Sequence, residues 1–256
     1  MPIHSIHGKN IFVETEGSGP VVLFVHGLGG STTFYEAQAR ALASKHTVVR
    51  FDLEGHGRSA IGGTPSIASY AQDALAVLDA LGHKEAAVVG HSMGTIVVQY
   101  LAANHADRVT KIALLGPVRE QAPAGKEATR ARAATVREKG MEAIATTVAN
   151  AATSPATQSG RPEIVGYVRE LLLAQSKEGY ALGCEALAAA TAVDASKIAQ
   201  PVLLITGDDD KVGPPAATEA FGKELAKAQV RLLQGCGHWT AIEKAAEVTA
   251  ALVEFL

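Results

Sequence analysis

Gly90-His91-Ser92-Met93-Gly94, before the midpoint of the chain, has the pattern G-x-S-x-G. A serine hydroxyl attacks a carbonyl readily only when a base takes its proton, and a sharp turn between strand and helix presents it best. The apolar residues 86–89 before it and the helical spacing after it supply that context. Glycine two residues either side fits, because a β-carbon there would run into neighbouring backbone. A base is available in Gly235-Cys236-Gly237-His238-Trp239. A carboxylate to orient its imidazole lies in Gly207-Asp208-Asp209-Asp210-Lys211-Val212-Gly213-Pro214, where three aspartates are candidates. Attack on a carbonyl builds a negative oxygen. His26-Gly27-Leu28-Gly29-Gly30 offers the Leu28 N–H to meet it, beside the Met93 N–H at a helix N-terminus. Together these residue types could perform acyl transfer through a covalent intermediate.

The elements around these segments must bring them to one place. Short apolar runs occur at residues 21–25, 48–51, 86–89, 112–115, 202–205 and 230–233. Such runs belong to strands buried on both faces, as in a parallel sheet. Helical spacing fills residues 33–44, 94–104, 216–227 and 245–255, and Ser66 caps a further helix that buries Ala71, Leu75, Leu78 and Leu81 before Gly82. Two β-type stretches at 3–6 and 11–14, with Gly8-Lys9-Asn10 as their turn, open the chain. The alternation predicts an α/β fold with a mostly parallel, doubly wound sheet and helices on both faces. Every chemistry-bearing segment then follows the carboxyl end of a strand, where such sheets bind ligands.

Residues 117–196 break the alternation. They hold helical patterns at 125–139, 141–152, 162–176 and 179–192, with Ser154-Pro155 and Gly160-Arg161-Pro162 as breaks. The expected organisation is a core of residues 1–116 and 197–256 with a helical lid, 117–196, inserted above the ligand end.

Composition narrows the class. The 256 residues are 47% hydrophobic and 19% charged, the balance of a folded globular chain. A net charge of −3 without a basic cluster predicts no nucleic-acid partner. The apolar runs are too short to span a membrane, and the N-terminus lacks a signal-peptide core, so a soluble, cytoplasmic protein is expected. Two cysteines and scattered histidines give no metal-ligand spacing, so neither metal nor cofactor is expected. His91 is expected to point away from the nucleophile, and His56 to stabilise its turn. Trp239 could wall a substrate pocket or anchor the last helix.

Serine, acid and histidine occur in the order found in α/β-hydrolases, and the chain resembles that superfamily from end to end. Asp52-Leu53-Glu54-Gly55-His56-Gly57-Arg58-Ser59 is similar to its D-x-x-G-x-G-x-S turn, with Glu54 where Arg or Pro is more usual. In similar enzymes the acid closes G-x-x-D with Pro four residues on, which Gly207, Asp210 and Pro214 match and Asp208 and Asp209 do not. The resemblance therefore implies nucleophile Ser92, base His238 and acid Asp210, with Leu28 and Met93 as the oxyanion hole. It implies hydrolysis of a small-molecule ester or lactone without cofactor. A slow-turnover ligand receptor and a C–C bond hydrolase are the alternatives.

The lid resembles that of the 3-oxoadipate enol-lactonase group, through Arg132-Ala133 to Gly140-Met141, Val165 to Leu173, and Gly179-Tyr180-Ala181-Leu182-Gly183-Cys184-Glu185-Ala186-Leu187. That group carries a Trp-Phe pair mid-lid where this chain reads Ala149-Asn150-Ala151-Ala152. The exchange implies a wider acyl pocket.

Overall fold

The computed structural model describes residues 2–256. Eight strands form one sheet: β1 (Ile3–Ile6), β2 (Lys9–Gly17), β3 (Val21–Val25), β4 (Thr47–Phe51), β5 (Ala86–His91), β6 (Val109–Leu115), β7 (Val202–Gly207) and β8 (Ala228–Leu233). Their order is β1-β2-β4-β3-β5-β6-β7-β8, antiparallel at β1/β2 and β2/β4 and parallel elsewhere. The inner strands are apolar throughout because both faces are covered. Leu23, Val25, Val88, Leu114 and Leu204 enter one core, whereas Val22, Phe24, Val89, Leu115 and Ile205 enter the other. Each such side chain contributes about 1.5–3 kcal/mol on full burial.

The helices are α1 (Glu36–Leu42), α2 (Ile67–Ala80), α3 (Met93–Asn104), α4 (Pro123–Lys139), α5 (Ala145–Ala152), α6 (Pro155–Gly160), α7 (Pro162–Leu173), α8 (Lys177–Ala189), α9 (Pro215–Glu224), α10 (Thr240–Glu243) and α11 (Ala245–Phe255). Helices α2 and α3 pack on the first core, and α1 and α11 on the second. Among the described residues no helix is long and apolar enough to cross a membrane.

Three local expectations need correction. The first hairpin turns at His7-Gly8, whose φ angles of 49° and 76° suit a two-residue type I′ turn, so Lys9 already pairs with Ile6. Strand β8 is an edge, not a strand buried on both faces, and leaves Val230 and Leu232 about two-fifths exposed (41% and 43%). Helix α2 buries Ala74 and Val77 beside Ala71 and Leu78, leaving Leu75 half-buried. Ser154-Pro155 breaks the helical pattern as expected, between α5 and α6, and it also caps α6: Ser154 accepts the Thr157 N–H at 3.1 Å, and proline fits the first helical turn.

Helices α4–α8 all lie between β6 and β7, and they rest on the loops at the carboxyl ends of the strands. Gln175 donates to the carbonyls of Gly29 and Gly30, both at 3.3 Å, and accepts the Gly57 N–H at 3.1 Å. The Ala152 carbonyl accepts the His238 N–H at 2.8 Å. Glu54 forms an ion pair of its own: Lys9 Nζ lies 2.9 Å from Glu54 and 2.6 Å from Asp73, tying the first hairpin to α2.

Candidate active site

Ser92 joins β5 to α3 with φ 52° and ψ −121°, a conformation that costs a non-glycine residue on the order of 1–3 kcal/mol. The neighbouring structure enforces it. Its N–H donates to the Leu115 carbonyl at 3.0 Å, and a β-carbon at Gly94 would strike the Val25 carbonyl oxygen, so strand and helix could not approach as they do. The hydroxyl stands without a helix-capping hydrogen bond. Met93 opens α3, so its N–H has no intrahelical acceptor. The Leu28 N–H is also unpaired among the described residues.

The loop carrying Leu28 is held by His26. Its Nε2 accepts the Leu53 N–H at 2.9 Å, so the proton is on Nδ1, which donates to the Gly27 carbonyl at 2.8 Å. Burial lowers the His26 pKa to about 4 and outweighs that bond.

After β7 the three aspartates separate. Asp208 and Asp209 are exposed, and Asp208 accepts the Cys236 N–H at 3.0 Å. Asp210 is buried, with both oxygens near His238 Nδ1 at 3.0 and 2.9 Å. Its Oδ1 also accepts the N–H groups of Val212 and Gly213, each at 2.8 Å. Burial alone would raise this carboxyl's pKa, but the His238 ring and those N–H donors together hold it below the usual range. The carboxylate therefore keeps the His238 proton on Nδ1. Nε2 is left unprotonated in this tautomer, buried and without a partner among the described residues. The hydrogen bond from serine to imidazole is unmade in this structure.

Two neighbours shape the histidine's surroundings. Gly116, at φ 55°, lies against the imidazole, and a β-carbon there would sit 2.9 Å from its Nδ1 and Cε1. His91 braces the histidine loop: its ring centroid is 4.9 Å from that of His238, and its Nε2–H donates to the His238 carbonyl at 2.9 Å. Trp239 packs with Phe34 and His91, at centroid distances of 5.7 and 5.5 Å, its indole N–H unpartnered among the described residues. Burial pushes the Cys236 thiol well up, so this neighbour is no thiolate. Gly116 and the contacts between Ala152 and the histidine loop carry no local sequence signal.

His26, His56 and His91 have pKa values lowered to about 4, 3 and 3, chiefly by burial. In an unfolded chain each would titrate near about 6.5. Above that pH native and unfolded states are equally neutral; below it only the unfolded chain takes up the protons. Stability is thus fully present above about pH 6.5 and falls as pH drops toward 4, by up to ~1.4 kcal/mol per unit for each histidine. Urea unfolding between pH 6 and 4.5 should show uptake approaching about three protons. A dependence of one proton or fewer would contradict this burial.

The family description for the alpha/beta hydrolase fold matches residues 20–245. The chain is 31% identical over 227 residues to 3-oxoadipate enol-lactonase 2 of Acinetobacter baylyi, covering 88% of this chain and 84% of that protein. Among solved structures, a malate-bound thermophilic esterase from Thermogutta terrifontis superposes with TM-score 0.93 at 26% identity, covering 98% of this chain and 96% of that one. The enol-lactonase from Burkholderia xenovorans LB400 superposes with TM-score 0.92 at 29% identity, over 99% of both chains.

Proposed function

Because the chain belongs to the α/β-hydrolase fold family, we propose that it hydrolyses a small carboxylic ester or lactone through an acyl-enzyme on Ser92. The observation that carries this reading is His238, with Nδ1 held by Asp210 and Nε2 buried and free. His238 Nε2 takes the Ser92 proton as the hydroxyl attacks the carbonyl, then gives it to the leaving alcohol. The tetrahedral oxyanion is met by the N–H groups of Leu28 and Met93, which need no reorganisation. Water then attacks the acyl group with the same base. Helices α4–α8 serve as the lid, and Trp239 forms part of the pocket wall. The relatives named for esterase and enol-lactonase activities support this substrate class.

Within that class the lid favours neutral acyl groups. Ala151 and Ala152 end α5 beside the histidine loop, where lid aromatics would each cover on the order of 150–250 Å². Arg119, Arg137, Arg161 and Arg169 already pair with glutamates. We expect kcat/KM on short aryl esters or simple lactones at least equal to that on a carboxylated enol-lactone. Steady-state kinetics on both substrate classes test it. A strong preference for the acidic lactone would overturn the substrate reading and direct attention to Arg130 and Arg132, which have no carboxylate partner among the described residues.

A further inference from the structure

Glu243, at the end of α10, is 1% exposed. Its Oε2 accepts the N–H of Gly237 at 3.0 Å, the N–H of Ser154 at 2.9 Å and the hydroxyl of Thr157 at 2.7 Å. Its Oε1 accepts the N–H of Trp239 at 3.2 Å. Two of these donors flank His238, and the other two belong to the cap and first turn of α6, just after α5. The same segments are joined by the His238 N–H on the Ala152 carbonyl at 2.8 Å and the Ser154 hydroxyl on the Gly235 carbonyl at 3.0 Å. A buried carboxylate is costly unless its oxygens are satisfied, and here one carboxylate gathers four donors from both sides of a seam. Among the described residues the side chain makes no hydrogen bond to Ser92, Leu28 or Met93.

We propose that Glu243 is a positioning residue for His238, its carboxylate binding the turn at Ser154 and Thr157 to the histidine loop so that the imidazole reaches Ser92 only while that turn is seated. This rests on His238 being the general base. The imidazole itself is faced by Asp210 and His91; Cys236, Lys244 and Arg161 lie around the carboxylate's end of the seam. A glutamine at 243 keeps the shape but offers an NH₂ group to donors that need acceptors. A placement error of about 1 Å at a reacting group can cost about 100-fold.

The test compares Glu243→Gln, Thr157→Val and His238→Ala in the full chain. Readouts are kcat and KM on a short aryl ester, Tm, and the downfield proton resonance of the His238–Asp210 hydrogen bond. Glu243→Gln should lower kcat about 10- to 100-fold with KM nearly unchanged, and should shift or broaden that resonance. Thr157→Val keeps the carboxylate and removes one donor, so it should show the same split more weakly, about 3- to 10-fold. It decides the matter alone if Glu243→Gln fails to fold. Wild-type kcat and resonance in the folded variants, or a loss confined to KM or Tm, would overturn the proposal. Wild-type kcat in His238→Ala would instead overturn the general-base reading beneath it.

Discussion

Asp210→Asn is expected to lower kcat by about 10⁴, the scale seen when the acid that fixes an imidazole tautomer is neutralised in place. Asp210 holds the His238 Nδ1 proton with both oxygens while its Oδ1 accepts two backbone N–H groups. An asparagine must satisfy those N–H donors with its single oxygen, which turns its NH₂ toward the imidazole. Nδ1 then becomes the acceptor, and the proton moves to Nε2, where the base is needed. Asp208→Asn keeps an oxygen for the Cys236 N–H, and Asp209 is exposed with no comparable contact. Those two variants should stay within about threefold of wild type, as surface changes away from a network do. Comparable losses at all three positions would refute the assignment.

Ser92→Ala is expected to lower kcat by at least about 10³, because removing a nucleophile that works as a unit with its base eliminates the whole covalent route. Alanine at φ 52° carries the same backbone strain as serine, so Tm should barely move. The lost rate is then chemistry rather than unfolding. Retention of full activity by this variant would end the serine-hydrolase reading.

The parallel body of the fold is legible in sequence because two-sided burial forces continuous apolar runs, as in Val21–Val25. Strand β8 misleads because Val230, Leu232 and Leu233 make it look apolar, yet the strand is an edge. Ser154-Pro155 is legible as a break between helices, whereas its role as the capped start of α6 depends on the partner at Thr157. The serine and histidine motifs are legible because their glycines are demanded by local geometry. Choosing Asp210 among three neighbours needed the G-x-x-D spacing of similar enzymes, since the difference lies in which carboxylate is buried. Gly116 and Glu243 were invisible. Gly116 meets His238 only after β6, β7 and β8 align side by side, and Glu243 gains its role from donors on separate segments.

Covalent trapping tests the central claim most directly. The protein should be treated with a fluorophosphonate ester, weighed intact by mass spectrometry and mapped by peptide. The account predicts one adduct per chain, located on Ser92, lost in Ser92→Ala and formed far more slowly in His238→Ala. Hydrolytic activity that persists with no adduct, or with the adduct on another residue, would contradict it.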